Sequence, residues 1–144
     1  EAKFLIVGKA PTRRVLKLAK QPGITITGAV DDIRPYIAAA TVCVVPLRMG
    51  GGTRFKILEA MALSRPIVST TIGAEGFPVT NGKEIIIADC SEDQIRAINS
   101  LLCQKHTRVQ LGKAGRTLVS NKYQWKTIMS NMKDVYSLLL NNVN

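Results

Sequence analysis

Three consecutive glycines, Gly50, Gly51 and Gly52, stand between an apolar run that ends at Pro46-Leu47 and an amphipathic run that begins at Arg54. A strand that passes into a helix through glycine constrains a chain strongly, because it is how α/β folds build anion sites. Glycine lets the backbone approach a ligand with no Cβ in the way, and the helix start presents unpaired N–H groups and the positive end of its dipole. Phe55, Leu58, Met61 and Ala62 fall on one face of the predicted helix, which argues against a free surface loop. Glu59 lies about 7.5 Å beyond Arg54 along the helix axis, with its Cβ tilted back toward the helix start. A diphosphate on the glycines could then offer ribose hydroxyls to this carboxylate.

The rest of the chain alternates. Strands are predicted over 3–8, 24–28, 42–47, 66–70 and 84–88, and helices over 11–21, 32–40, 54–63, 92–104, 107–120 and 125–140. That order predicts a Rossmann-like, doubly wound parallel α/β sheet with right-handed crossovers and extra C-terminal helices. Phe4 to Val7 read as a strand buried on both faces. Pro11 and Ser91 suit the first helical position and the N-cap of their helices. Ligands on such sheets bind beyond the carboxyl ends of the strands, which here means Gly8, Val30, Asp31, the loop 48–53 and the loop 71–77.

Competing motifs fail on spacing. No segment has the glycine, four residues, Gly-Lys-Ser/Thr of a P-loop, and the dinucleotide fingerprint would need a third glycine at Phe55. A receiver-like or other phosphate-binding regulatory module is the alternative on this sheet. Its acidic cluster would have to be Asp31-Asp32, and the 50–59 segment would have no role in it. No Asp-x-Asp or histidine cluster points to a metal, and no cofactor is implied. Cys43, Cys90 and Cys103 lack paired spacing and suit reduced thiols in a cytosolic protein. His106 sits in a polar connection and reads as solvated.

At 144 residues the chain is read as one domain, able to bury roughly 68% of its unfolded surface. No apolar run approaches the ~18 residues of a membrane span, and no signal peptide is visible. The formal net charge is +10, and no acidic residue occurs from Gln94 to Lys133 while basic ones accumulate. Three readings rank in this order. The first is a solvated basic face. The second is peripheral contact with an anionic membrane, at about 1 kcal/mol per Lys or Arg near the surface. Nucleic acid comes last, because Tyr123 and Trp125 are the only aromatics among the charges as far as Lys133.

Pro46 to Ala62, followed by Pro66-Ile67-Val68-Ser69-Thr70 and Gly73-Ala74-Glu75-Gly76, resembles the nucleotide-sugar-binding, C-terminal half of the GT-B glycosyltransferases. Within them it is most similar to family 4, the glycosyl transferase group 1. Phe4-Leu5-Ile6-Val7-Gly8, Thr27-Gly28-Ala29-Val30-Asp31-Asp32, Tyr36 and Tyr123-Gln124-Trp125 agree with the same family in order and spacing. The resemblance implies a retaining, metal-independent hexosyltransferase whose substrate is a nucleotide sugar. It also implies an N-terminal acceptor domain, and a first strand and helix of this domain, upstream of residue 1. This chain alone would then be inert. Localisation would be cytoplasmic, or peripheral to the inner face of the membrane.

By the same resemblance Glu59 is the ribose glutamate and the base rests against main chain near Val30. The family's other glutamate, eight positions earlier and near the donor sugar, falls on Gly51. A Gly51 N–H or Arg54 would have to serve instead. Gly51, Gly52, Thr53, Arg54 and Arg48 are the expected diphosphate contacts, the two arginines standing in for an Arg and Lys of the upstream loop.

Overall fold

The computed structural model describes residues 2–141. The chain divides into two compact units, one reaching to Ala39 and the other beginning at Ala40.

In the first unit β1 (Phe4–Ile6) lies parallel to β2 (Ile24–Ile26), with Phe4 opposite Ile24 and Ile6 opposite Ile26. Between them run α1 (Arg13–Leu16) and a 3-10 turn (Lys17–Lys20), and α2 (Arg34–Ala39) closes the unit. The expected helix 11–21 is therefore two short pieces. It starts later than Pro11, because the Thr12 hydroxyl accepts the Val15 N–H at 3.3 Å and makes Thr12 the N-cap. Asp32 accepts both the N–H and the Nε–H of Arg34 at 2.9 Å, at the start of α2. The expectation of a doubly buried first strand is corrected. Phe4 and Leu5 are exposed, since β1 hydrogen-bonds to β2 alone and too few residues stand around it within this unit to cover both faces.

The second unit holds a three-stranded parallel sheet in the order β3 (Cys43–Val45), β4 (Ile67–Ser69), β5 (Ile86–Ile87). The loop after β3 leads into α3 (Phe55–Ala62), and α4 (Thr71–Ala74) follows β4 directly. After β5 come α5 (Ser91–Cys103), α6 (Lys105–Lys122) and α7 (Trp125–Asn141). Helix α4 lies where a loop was expected. The Thr70 side chain accepts the Gly73 N–H at 3.0 Å and caps one helical turn. For α5 the N-cap is Cys90, and Ser91 is the first helical residue. The Cys90 backbone is extended there, and its sulfur takes the Asp93 N–H at 3.4 Å.

The core of this unit gathers Val68 of β4 and Ala88 with Leu101 of α5 and Leu111 of α6. Helix α3 buries Ile57, Ala60 and Met61. It meets α6 at a contact that only glycine permits. A Cβ on Gly112 would stand 2.1 Å from the Ser64 carbonyl oxygen, and one on Gly115 would stand 3.0 Å from Met61 Cγ. Arg116 then donates to the Ala62 carbonyl at the end of α3. From Met129 to Leu140 every residue of α7 is exposed, including Met132 and Tyr136. Among the described residues no helix is long and apolar enough to cross a membrane.

Candidate functional site

The segment 46–54 leaves β3 at the carboxyl end of the sheet and returns as α3. Gly50 (φ 143°) and Gly52 (φ 82°) take backbone conformations that side chains disfavour, which accounts for glycine at both positions. Helix α3 has no side-chain cap at Arg54. Arg54 is instead turned back under the loop. Its guanidinium donates to the Gly52 carbonyl, to the Gly50 carbonyl at 2.7 Å and to the Ile72 carbonyl at 3.5 Å. Only 6% of this residue is exposed, and its Nε is buried without a partner.

Among the described residues, no hydrogen bond is donated by the N–H groups of Gly51, Gly52 or Thr53. The loop carbonyls are held inward by a buried cation, and the amides of the three residues just before the N-cap of α3 stay unpaired. This is the arrangement in which backbone N–H groups and a helix dipole receive an anion.

The loop is held from the next strand as well. The Thr70 hydroxyl donates to the Leu47 carbonyl, and Ser69 donates to the Val45 carbonyl at 3.3 Å, so the end of β4 is clamped to the segment that leaves β3. Gly73 is required where α4 passes close by, because a Cβ there would sit 2.4 Å from Ser69 Oγ and 2.8 Å from the Val45 oxygen. The Asp89 carboxylate accepts the N–H and the hydroxyl of Thr71, both at 2.7 Å, and these bonds hold it below the usual carboxylate range.

Two clefts open at this edge of the second unit. One, of about 420 Å³, is lined by Gly51, Gly52, Thr53, Arg54, Glu75, Gly76, Phe77 and Tyr123. The other, of about 750 Å³, is lined by Leu47, Arg48, Thr70 to Ile72 and Asp89 to Glu92. The structure thus brings Gly51, Gly52, Thr53 and Arg54 together and sets Arg48 in the neighbouring cleft. Glu59 is exposed on α3 and lines neither cleft, with no bond made by its carboxylate among the described residues. Val30, half-buried, belongs to the first unit and is described there alone. Phe77 and Tyr123 meet edge to face at 5.9 Å and form a cleft wall that the glycine motif did not announce. The signals for it were the loop 71–77 at the carboxyl edge and the segment Tyr123-Gln124-Trp125, neither of which announced that the two rings meet.

Burial pushes the Cys43 thiol up to about 11, and the Cys90 thiol is raised by its hydrogen bond to Asp93. No group of three or more His, Cys, Asp or Glu side chains capable of holding a metal occurs among the described residues.

Parallel strands with flanking helices and a glycine loop at their carboxyl edge define a Rossmann-like α/β protein, and the solved structures it resembles are GT-B glycosyltransferases. The chain belongs to the family described as glycosyl transferases group 1, whose profile matches residues 1–104. It is 30% identical to the GDP-mannose-dependent alpha-(1-6)-phosphatidylinositol monomannoside mannosyltransferase of Mycobacterium tuberculosis over 92% of this chain and 38% of that protein. A glycosyltransferase from Rickettsia africae superposes with a TM-score of 0.82 at 19% identity, over 99% of this chain and 41% of that one. Anabaena HepE in complex with UDP-glucose superposes with a TM-score of 0.72 at 19% identity, over 94% and 40%. The chain therefore spans about two fifths of the length of each of these proteins.

Proposed function

We propose that this chain is the donor-binding part of a retaining, metal-independent glycosyltransferase, and that the amides of Gly51, Gly52 and Thr53 receive the diphosphate of a nucleotide sugar. The observation that carries the reading is the division of labour in the loop, with carbonyls bound by Arg54 and amides free just before the N-cap of α3. Family membership supports the chemistry. In it, the bond from the sugar C1 to the diphosphate oxygen breaks and a bond from C1 to an acceptor hydroxyl oxygen forms, with loss of the hydroxyl proton. The relative named for GDP-mannose and the neighbour solved with UDP-glucose support a nucleotide sugar as donor, without choosing its base or sugar.

Glu59 takes the ribose in this reading. Backbone N–H donors and Arg48 carry the diphosphate charge in place of a metal. The acceptor is bound by a further domain, which the relatives have room for in the three fifths of their length that this chain does not span. The protein works in the cytoplasm, and the basic residues of α6 and α7 suit the inner face of an anionic membrane.

Calorimetric titration of UDP, GDP and their 2′,3′-dideoxy analogues into the full chain, without added metal, tests the donor site. The ribose forms bind and the dideoxy forms bind at least about tenfold more weakly, and Glu59→Gln removes most of that difference. Equal affinity for both forms in the wild type would contradict the ribose assignment. Absence of any binding would contradict the donor site.

A further inference from the structure

We infer that Glu75 reads a hydroxyl group of the donor's sugar, in the smaller cleft that it lines together with the glycine loop. This rests on the donor reading above and assigns to it a residue on a different segment.

The smaller cleft has three kinds of wall. Gly51 and Gly52 contribute no side chain to it, and Arg54 is buried and already bonded to three carbonyls. Glu75 and Gly76 line it as well, together with the half-buried residues Phe77 and Tyr123, whose rings stand edge to face. About 420 Å³ bounded by apolar rings and a few polar groups is the usual make-up of a small-molecule site.

Glu75 is the acidic side chain of that cleft, and it is largely free. Its side chain is 74% exposed, and its carboxylate accepts no hydrogen bond from any described residue. The nearest cation, Arg54, is 3.8 Å away, which is a charge contact rather than a hydrogen bond. An exposed contact of that kind contributes little to stability. A carboxylate repels phosphate, so Glu75 suits a neutral part of a ligand whose charge is held elsewhere. An ionised carboxylate is an acceptor only, and its natural partner is a hydroxyl. Ring faces beside it suit the C–H face of a pyranose. The diphosphate would lie on the amides of Gly51 to Thr53, and the sugar it carries would enter between Gly51 and Glu75. Gly51, having no side chain, leaves that space open.

A hydrogen bond from a sugar hydroxyl to an ionised carboxylate contributes roughly 1.5–3 kcal/mol, tenfold or more in affinity, so its loss is read as a difference between the sugar conjugate and the bare diphosphate. The test compares four probes on the full chain: UDP, UDP-glucose, GDP and GDP-mannose. For the base that the wild type binds, Glu75→Ala lowers affinity for the sugar conjugate by about tenfold or more and leaves the bare diphosphate at wild-type affinity or tighter. Glu75→Gln, which keeps the shape, gives a smaller loss in the same direction. An equal loss for bare diphosphate and conjugate would assign Glu75 to the support of Arg54 and overturn the inference. So would an unchanged affinity for the conjugate. If the wild type binds no diphosphate, the donor reading fails and this assignment fails with it, whereas binding of the bare diphosphate together with an unselective Glu75→Ala variant sinks this assignment alone.

Discussion

Arg54 illustrates at the scale of one residue what a sequence leaves open. A cation beside three glycines at a helix start invites the expectation that it meets the ligand's anion, because otherwise it opposes the helix dipole. Its guanidinium instead grips the Gly50 and Gly52 carbonyls from beneath. That grip depends on the path of the loop and on the Ile72 carbonyl eighteen positions away, which no local pattern reveals. Gly52, by contrast, was legible as part of a glycine loop, and its φ of 82° accounts for glycine at that position. Cys43 gives a prediction of its own. Burial raises its thiol to about 11 by disfavouring the thiolate, so at pH 8 almost none of it is reactive. Exposed Cys103 should therefore react with a maleimide at pH 8 before Cys43 does, with labelling of Cys43 growing as pH rises toward 11. Peptide mapping of the labelled protein checks the order. Early labelling of Cys43 would mean that its strand opens.

At the scale of elements, the strand–helix alternation was readable from hydrophobic runs, and the glycine loop marked the candidate site because its neighbours on both sides had clear periodicity. The short helix α4 was not readable. Thr71, Ile72 and Gly73 are poor helix formers, and the turn exists because Thr70 caps it and Asp89 grips its first residue. Sequence reasoning likewise passed over Gly112 and Gly115, since a glycine within a helical pattern reads as a local weakness until the facing surface is known. That surface is the end of α3, where Ser64 leaves no room for a Cβ. Gly112→Ala should destabilise the protein by about 1–3 kcal/mol despite the higher helix propensity of alanine. Urea unfolding followed by circular dichroism measures it, and a stabilised variant would show that α6 moves off α3 without cost. The Asp89–Thr71 clamp adds a pH dependence. Its carboxyl is held below the ordinary range in the folded state, so its contribution is present above that range and is lost as pH falls through the lowered value. Asp89→Asn should therefore remove part of the stability lost on acidification, read as a shallower fall of Tm between neutral and acid pH. An unchanged profile would mean that the clamp does not form in solution.

For the whole molecule, the α/β class and the family were legible because several separated segments agreed. What the sequence could not convey was the distribution of site residues. Gly51 to Arg54 share a cleft with Glu75 and the Phe77–Tyr123 pair, Arg48 faces another cleft, and Glu59 stands exposed on α3. The reason is physical. Sequence spacing fixes position along an element, whereas the direction of each side chain follows from how the elements pack. The central claim is that unpaired loop amides bind the donor's diphosphate, and the most direct measurement follows those amides. In two-dimensional NMR of the isotopically labelled protein, titration with UDP and GDP should move the N–H resonances of Gly51, Gly52 and Thr53 more than those of the larger cleft, while uridine and guanosine leave them in place. Unmoved loop amides at saturating diphosphate, or equal shifts with the nucleosides, would contradict the account.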